Sequence, residues 1–506
     1  MGADCSCCSL GTESLAAQIE AKPALMERQQ RVQHHTAEGV EGKYELDKSR
    51  GGLLYDGPRA VMRKARHKES GTQRAVKFSG RSEASAEQWE AEVELIKQLD
   101  HPHICRLIET FEDNEHFAAV MELPGGRDLL SVCDSGKARL PENVAGVLSR
   151  QMLSALGHLH ELKVCHAELS PECFFFTKPL PRGMHLSELC LKLLDTGRLV
   201  ELGTPDESGG REVKPQTTEA ALLAARKGCK APEQVGCAGC PLPSALCSGD
   251  YDVWAVGAIA FFTLAGHWPV LSREKTVPLQ PEKVWQKSSS DCRAFIAACL
   301  AYRPEERPAV PNLLESPWIV KAKKAYEAAL KTQHQKGNAQ LIGADDIVGG
   351  FNAITEKSEF EKAAITALAH QLPESSVSRL RLMFEELDSS GDGKLTVEEI
   401  RTGLKKLGHL EGSAEIMELL EAADTDGSGM IEYTEFIACT VDRRKAANAD
   451  ATKAAFKVFD ADGDGAITVD EVREALGEEA AAALADADGD GDGKVSVAEF
   501  QKLLQK

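Results

Sequence analysis

Four short acidic segments in the last quarter of the chain carry oxygen-bearing side chains at regular positions. Each begins with Asp, has further oxygen side chains at its third and fifth positions, Gly at its sixth and Glu at its twelfth. A hard cation such as Ca²⁺ takes about six to eight oxygen ligands, and a loop with this spacing can supply most of them. The glycine permits a sharp turn, and the closing Glu can bind with both of its oxygens. We therefore predict up to four calcium sites.

The predicted ligands occupy positions 1, 3, 5, 7, 9 and 12 of each loop. They are Asp388, Ser390, Asp392, Lys394, Thr396 and Glu399 in loop 1; Asp424, Asp426, Ser428, Met430, Glu432 and Glu435 in loop 2; Asp460, Asp462, Asp464, Ala466, Thr468 and Glu471 in loop 3; and Asp488, Asp490, Asp492, Lys494, Ser496 and Glu499 in loop 4. Position 7 binds through its backbone carbonyl, so its side chain can vary.

The four loops form an internal repeat. They begin 36, 36 and 28 residues apart, which is typical of helix–loop–helix EF-hand units. The eighth position is apolar in every loop, and in EF-hands this residue pairs two loops through a short strand; the residues are Leu395, Ile431, Ile467 and Val495. Solvated acidic turns are the alternative interpretation, but four complete ligand sets at regular spacing disfavour it.

Charge and composition limit the remaining possibilities. Residues 381–506 hold 14 Lys+Arg and 29 Asp+Glu, so they carry −15 of the net charge of −20. This concentration favours cation binding and argues against a nucleic-acid partner. The length of 506 residues predicts two or three domains. The sequence has no apolar stretch long enough to predict a transmembrane helix. Its 15 cysteines are scattered and no signal peptide is recognised, so we expect a reducing, cytosolic environment.

Residues 44–318 carry short motifs in the order found in protein kinases. Lys77, in Ala75-Val76-Lys77, resembles the strand lysine that binds the ATP phosphates, and Glu92 stands where its helix partner is expected. Met121 and Glu122 resemble the hinge. The remaining matches are His166, Asp195 at the metal-binding position, Ala231-Pro232-Glu233, Asp252 and Arg307. The resemblance implies that Arg307 pairs with Glu233, and that ATP and Mg²⁺ contacts lie at Gly57, Lys77, Glu92, Met121, Glu122 and Asp195.

The whole chain resembles the calcium-dependent protein kinases of plants and apicomplexan parasites. This resemblance implies an α+β bilobal protein kinase-like domain followed by an all-α calmodulin-like domain of four EF-hands. We expect a flexible N-terminus over residues 1–43, the kinase-like domain over 44–318, regulatory junction helices over 319–375 and the calmodulin-like domain over 376–506. The segment that begins at Phe360, FEKAAITALAHQL, resembles the first regulatory helix; an ordinary amphipathic linker helix is the alternative.

The phosphate-binding loop and the catalytic loop depart from the kinase pattern. Residues 55–60 read YDGPRA, so only Gly57 of the three expected glycines remains. Residues 166–173 read HAELSPEC where kinases have HRDLKPEN. Glu168 stands at the position of the catalytic Asp, and misplacement of a carboxylate by about 1 Å can cost roughly 100-fold in rate.

Two further replacements in the catalytic loop remove charge and a metal ligand. Ser170 replaces the lysine that balances the γ-phosphate charge, and Cys173 replaces the asparagine that holds a second Mg²⁺. A thiol is a poor ligand for a hard ion. Because phosphoryl transfer depends on positioned charge, we predict weak or absent phosphotransfer. Lys77, Glu92 and Asp195 could still hold ATP and one metal ion.

The N-terminus fits the N-myristoylation pattern, with Gly2 as the acceptor and Cys5, Cys7 and Cys8 available for palmitoylation. Because one acyl chain binds a bilayer only marginally, two are needed for a stable anchor. We expect a monomer at the cytoplasmic face of a membrane and in the cytoplasm; an unmodified tail is the alternative. We interpret Cys229, Cys237, Cys240 and Cys247 as ordinary loop thiols and not as zinc ligands or redox groups.

Three functions remain open at this point. The first is a calcium-regulated pseudokinase or weak kinase, in which calcium moves the junction helices and changes the shape or partners of the kinase-like domain. The second is an active calcium-dependent Ser/Thr kinase that transfers the ATP γ-phosphate to protein hydroxyls with Glu168 as base. The third is a calcium buffer with an inert attached domain. Complete calcium loops beside an altered catalytic loop favour the first.

Overall fold

The computed structural model describes residues 32–36, 39–56, 60–81, 86–136, 139–180, 185–194, 199–202, 229–235, 249–272, 274–335, 344–406, 413–425, 427–443 and 449–505. Within these ranges, none of the helices has the length and apolar character needed to cross a membrane. Several residues predicted to have a role lie outside the described ranges: Gly2, Cys5, Cys7, Cys8, Gly57, Asp195, Cys237, Cys240, Cys247 and Asp426.

A seven-stranded sheet opens the kinase-like domain. Its strands are β1 (Gln33–His35), β2 (Tyr44–Leu46), β3 (Leu53–Asp56), β4 (Val61–His67), β5 (Gln73–Gly80), β6 (Leu107–Glu112) and β7 (His116–Glu122). The order is β1-β6-β7-β5-β4-β2, and β3 also pairs with β4. β7 is central and its apolar run is buried from Phe117 onward. Helix α1 (Ala86–Lys97) covers the sheet and stacks Trp89 on Phe117.

A helical lobe follows the sheet. Its helices are α2 (Leu129–Gly136), α3 (Glu142–Glu161), α4 (Asp250–Ala265), α5 (Glu282–Trp285), α6 (Ser290–Cys299), α7 (Val310–Leu314) and α8 (Pro317–Gln335). Its short strands are β8 (Val164–Cys165), β9 (Phe174–Phe176), β10 (Leu191–Leu193) and β11 (Val200–Glu201), which pair as β9–β10 and β8–β11. α4 is apolar on nearly all faces and buried, as expected of a helix at the centre of a lobe.

The C-terminal region is helical, with two short ladders. Its helices are α9 (Ala344–Thr355), α10 (Glu359–Gln371), α11 (Glu374–Leu387), α12 (Val397–Lys406), α13 (Ser413–Ala423), α14 (Tyr433–Thr440), α15 (Ala449–Phe456), α16 (Val469–Leu476), α17 (Glu478–Ala482) and α18 (Val497–Gln505). Its strands are β12 (Lys394–Leu395), β13 (Ile431–Glu432), β14 (Ala466–Thr468) and β15 (Lys494–Ser496).

The segment predicted as the first regulatory helix forms α10 and lies in the core of this region. A capping box between Ser358 and Glu361 begins the helix, which satisfies backbone N–H groups that would otherwise lack partners. Phe360 is fully buried and lies 5.6 Å from the Phe459 ring and 6.3 Å from the Phe500 ring. α10 also packs against α14, so both halves of the region enclose it.

The eighth loop positions pair the loops two by two, as the sequence predicts. β12 and β13 bring Leu395 opposite Ile431, and β14 and β15 bring Ile467 opposite Val495. All four side chains are fully buried. We call loops 1 and 2 the first pair and loops 3 and 4 the second pair.

Candidate nucleotide cleft and calcium sites

Lys77 and Glu92 form the ion pair that the kinase resemblance predicts. Lys77 lies on β5 and is 4% exposed, and its Nζ is 2.6 Å from Glu92 Oε1 on α1. Taking an ammonium group out of water is costly unless a carboxylate accompanies it. The pair therefore fixes α1 against the sheet and places the lysine where it could meet phosphate oxygens.

The two predicted hinge residues differ in where their side chains lie. Met121 is fully buried at the end of β7, opposite Ala75 of β5. The Glu122 carboxylate is also buried, and it accepts two hydrogen bonds from Lys192 Nζ at 2.9 and 3.0 Å. Since this carboxylate is already paired within the protein, a nucleotide contact at Glu122 would have to use its backbone.

Hydrogen bonds fix the backbone of the catalytic loop, although its side chains differ from those of the kinase pattern. Asp252 of α4 is 1% exposed and accepts hydrogen bonds from His166 N at 2.9 Å and Ala167 N at 3.0 Å. His160 Nε2 lies 2.9 Å from the same carboxylate. Gln234 Nε2 also donates to the Ala167 carbonyl at 2.8 Å. The loop therefore has a fixed path, and its chemistry depends on which side chains it presents.

The side chains of this loop do not replace the catalytic Asp, Lys and Asn that kinases carry here. Glu168 is exposed, and it is the one carboxylate at the catalytic position. Cys173 is 4% exposed, and its Sγ lies 3.4 Å from Ser170 Oγ. A buried thiol beside a hydroxyl does not suit Mg²⁺, which prefers charged oxygens and keeps several waters. The second metal site of a kinase therefore does not fit the residues present here.

Arg307 and Glu233 form the predicted structural pair. The guanidinium and carboxylate are both buried, with Nη1–Oε1 at 2.5 Å and Nη2–Oε2 at 2.9 Å. Such bidentate pairs fix geometry as well as charge. Nearby, burial raises the pKa of the Cys229 thiol well above its usual value, so it remains protonated at neutral pH.

The four calcium loops share one internal hydrogen-bond pattern. In each, the first Asp accepts the N–H of the sixth-position glycine, at 3.0 Å for Gly393, 2.8 Å for Gly429, 3.2 Å for Gly465 and 2.8 Å for Gly493. These glycines have φ between 79° and 87°, a left-handed conformation that favours glycine. The twelfth-position Glu accepts backbone N–H groups of its own loop in every case. The oxygens therefore converge as a calcium site requires.

In the second pair, each loop brings three aspartates together. One carboxylate oxygen from each of Asp460, Asp462 and Asp464 lies within 4.8 Å of the others, and the same holds for Asp488, Asp490 and Asp492. Loop 1 has Ser390 between its two aspartates, and loop 2 has Ser428 at its fifth position. The donor set is entirely oxygen, which suits Ca²⁺.

A buried chain of charges, which the sequence did not indicate, joins the hinge to the calcium-binding region. Lys192 Nζ contacts Glu122 and also lies 3.1 Å from Glu374 Oε2 at the start of α11. Arg106 lies 3.4 Å from Glu122 and donates to the Ala369 carbonyl of α10 at 2.9 Å. Burial alone would raise the pKa of Glu122, but the charges of Lys192 and Arg106 lower it below its usual value. The hinge is thus connected to α10 and α11 through Arg106 and Lys192.

Loop 1 rests directly on the helical lobe. Ser154 Oγ of α3 donates to the Gly391 carbonyl at 2.6 Å, and Lys323 Nζ of α8 donates to the Ser389 carbonyl at 2.7 Å. Lys394 Nζ lies 3.2 Å from Glu161. Loop 2 also contacts the kinase-like domain, since the backbone N–H and the hydroxyl of Thr434 both donate to the Asp100 carboxylate.

Comparison with known proteins agrees with this arrangement. The chain matches the protein kinase domain model over residues 50–319, an EF-hand domain pair over 377–440, an EF-hand domain over 452–480 and an EF hand over 481–504. The EF-hand matches imply calcium binding.

Several relatives align along most of the chain. It is 28% identical to Calcium-dependent protein kinase 5 of Plasmodium berghei (strain Anka), over 86% of this chain and 72% of that protein. It is 29% identical to Calcium-dependent protein kinase 10 of Arabidopsis thaliana, over 76% and 66%. A crystal structure of Rad53 1-466 in complex with AMP-PNP aligns at 23% identity and a TM-score of 0.43, over 56% of this chain and 67% of that chain. The protein kinase domain match covers more than half of the chain and, with the EF-hand matches and the relatives above, shows that the chain belongs to the protein kinase family as a member of the calcium-dependent type.

Proposed function

We propose that this protein is a calcium sensor whose kinase-like domain transfers phosphate weakly or not at all. The observation behind the proposal is that four complete calcium loops lie beside a catalytic loop in which Glu168, Ser170 and Cys173 replace the charged and metal-binding set. Phosphoryl transfer relies almost wholly on positioned charge. The output is then a calcium-dependent change in the shape or the partners of the kinase-like domain.

The contacts between the two regions support such an output. α10 is enclosed by both EF-hand pairs, so opening of either pair must disturb it. Glu374 follows α10 closely and touches Lys192, which in turn holds Glu122 at the hinge. A movement of α10 and α11 would therefore change the charge environment behind the hinge.

The test uses the full-length protein with labelled ATP and Mg²⁺, with and without Ca²⁺, together with Glu168→Ala. We expect a large calcium-dependent change in solution scattering or in tryptophan fluorescence, with phosphotransfer no higher than in Glu168→Ala. Glu172→Ala, an exposed change in the same loop, is the matched control. Robust calcium-stimulated phosphorylation that Glu168→Ala abolishes and Glu172→Ala leaves intact would contradict the proposal.

The second candidate is an active calcium-dependent Ser/Thr kinase with Glu168 as base. The intact Lys77–Glu92 pair at 2.6 Å favours it, because ATP and one Mg²⁺ could then be held by Lys77 and Asp195. Lys77→Met should abolish activity in that case, whereas Lys64→Met on the neighbouring strand should not. Activity that survives Lys77→Met would exclude this candidate.

We also propose a membrane anchor at the N-terminus. Gly2 would carry a myristoyl group, and Cys5, Cys7 and Cys8 would supply the second acyl chain. Membrane fractionation should then show that Gly2→Ala releases the protein into the soluble fraction, and that serine at the three cysteines does so in part. Equal partitioning of all three proteins would exclude the anchor.

A further inference from the structure

Three buried side chains with different donor atoms meet where the kinase-like domain contacts α11. His103 lies in the segment between α1 and β6, Cys190 directly precedes β10, and Glu385 lies on α11. Their ligand atoms, one nitrogen, one sulfur and one oxygen, all lie within 4.8 Å of one another. His103, Cys190 and Glu385 are 2%, 2% and 7% exposed. Three segments that are far apart in sequence therefore supply one mixed donor set.

The histidine is oriented as metal-binding histidines are. His103 Nδ1 lies 2.8 Å from the Leu191 carbonyl oxygen. A carbonyl can only accept, so Nδ1 carries the hydrogen and the neutral ring directs the lone pair of Nε2 into the cluster. Metal-bound histidines commonly donate their other N–H to a backbone carbonyl in this way, which fixes the ring and its tautomer.

His103 Nε2 is buried and, among the residues that the structure describes, has no hydrogen-bond partner. It faces Glu385 Oε1 at 3.5 Å. Glu385 Oε1 already accepts a hydrogen bond from Arg381 Nη1 and has no hydrogen to offer His103 Nε2. A cation bound between the nitrogen and this oxygen would give Nε2 a partner. Ligand atoms around a tetrahedral zinc ion lie about 3.3–3.8 Å apart for the usual bond lengths. The observed separation falls in that range, and the other two pairs would need to close by at most about 1–1.5 Å.

The neighbours of Glu385 orient its carboxylate. Arg381 pairs with it one turn away on α11, and Tyr326 Oη lies 3.4 Å from Glu385 Oε2. Arg381 also contacts Glu374 at 2.9 Å. The positive charge of Arg381 opposes a cation. Burial raises the pKa of the Cys190 thiol to about 12 and Arg381 offsets only part of that rise, so a metal ion would have to displace the thiol proton. Glu374 contacts both Arg381 and Lys192, so it offsets part of the positive charge near the cluster.

We propose that His103, Cys190 and Glu385 bind one divalent transition-metal ion of the zinc class. A nitrogen, sulfur and oxygen donor set suits a borderline-soft ion, whereas Ca²⁺ and Mg²⁺ require oxygen. The ion would join the kinase-like domain to α11, the helix that ends at Leu387 immediately before the first ligand of loop 1. It would therefore hold loop 1 against the helical lobe.

Cobalt provides the direct test because a Co²⁺–thiolate bond has a charge-transfer absorption band that oxygen-only EF-hand loops cannot produce. Metal-stripped full-length protein in saturating Ca²⁺ is titrated with Co²⁺. We expect a thiolate band that saturates at one equivalent and is displaced by one equivalent of Zn²⁺. Cys190→Ser should abolish it, whereas Cys299→Ser, an equally buried cysteine on α6, should retain it.

A second variant guards against misfolding of Cys190→Ser. Glu385→Gln keeps the size of the side chain and leaves the thiol in place, and it should weaken Co²⁺ binding at least tenfold. Absence of a thiolate band in the unsubstituted protein would overturn the proposal. It would also be overturned by a band that survives Cys190→Ser, which would assign the thiolate to another cysteine, or by unchanged affinity in Glu385→Gln.

Discussion

The two EF-hand pairs have the same internal geometry but different surroundings. Asp388 of loop 1 is 3% exposed, and its loop lies against α3 and α8. The first residues of loops 3 and 4, Asp460 and Asp488, are by contrast only half-buried. A Cβ placed on Gly393 would meet His101 of the kinase-like domain, whereas one placed on Gly465 or Gly493 would meet nothing within 4 Å. The first pair is therefore part of a domain contact, and the loops of the second pair are open to the ion.

This difference assigns the two pairs different tasks. Because loop 1 is in contact with the kinase-like domain, we expect calcium binding to loop 1 and this contact to be coupled. Such a coupling is reciprocal, so each changes the other by the same free energy. Loops 3 and 4 lack this restriction, so the second pair should bind calcium with little influence from the kinase-like domain. The predictions below disturb the first pair and use the second pair as the reference.

The largest effect is expected from Lys192→Met, which removes the cation shared by Glu122 and Glu374. Breaking a buried ion pair by removing one partner costs roughly 3–5 kcal/mol, because a charge remains buried without compensation. Urea unfolding of the full-length protein without calcium measures the loss, and Lys64→Met is the control. We also expect the calcium affinity of the first pair to approach that of the second. A loss below about 1 kcal/mol would show that Arg106 and Arg381 compensate fully.

A matched glycine pair separates loop strain from domain contact. Gly393 and Gly465 have φ of 85° and 87°, so alanine strains both backbones alike, by roughly 1–2 kcal/mol. Only at Gly393 would the new Cβ lie 1.9 Å from His101 Cδ2, which adds an overpacking cost of about 1–3 kcal/mol. Gly393→Ala should therefore increase proteolysis between the domains, and Gly465→Ala should not. Equal proteolysis in the two variants would mean that loop 1 does not rest on the helical lobe in solution.

Short-range patterns predicted what lies within each domain. The calcium loops, the pairing of Leu395 with Ile431, the Lys77–Glu92 pair and the Arg307–Glu233 pair follow from spacing or family motifs. The contacts between domains did not follow. Arg106 and Ala369 are separated by 263 residues, and Lys192 lies in an ordinary strand pattern, where a lysine normally indicates a solvent-facing position. No local pattern shows that a second domain will cover that position.

The pH response of calcium binding should also differ between the pairs. Burial and the neighbouring Asp392 carboxylate raise the pKa of Asp388 to about 7. The folded protein therefore holds a proton that the unfolded chain, with its ordinary pKa of 3.8, has lost. The resulting stabilisation is present below about pH 3.8 and is lost as the pH rises through about 7. Calcium must displace this proton, so loop 1 should bind up to about tenfold more weakly for each pH unit below 7.

Loop 4 should not respond over that pH range, because hydrogen bonds from Ser496 hold the pKa of Glu499 at about 2. Calcium titrations at about pH 6, 7 and 8 test this difference. Glu471→Gln with Glu499→Gln silences the second pair, and Glu399→Gln with Glu435→Gln silences the first. Equal pH dependence in the two double variants would contradict the burial of Asp388 beneath the helical lobe.

The smallest expected effect concerns the seventh position, where loops 1 and 4 both carry lysine. Lys394 pairs with Glu161 of α3 at 3.2 Å, whereas Lys494 pairs with Asp464 of the neighbouring loop 3, also at 3.2 Å. Both pairs are partly exposed, so each contributes only about 0.2–1 kcal/mol and is screened by salt. Glu161→Gln should weaken calcium-free contact between the domains by that amount and reduce its salt dependence, while calcium binding to the second pair stays unchanged. The two lysines occupy equivalent loop positions. If Glu161→Gln changed calcium binding equally in both pairs, the partner of the lysine would not distinguish loop 1 from loop 4. The burial of Asp388 would then be the feature that distinguishes them.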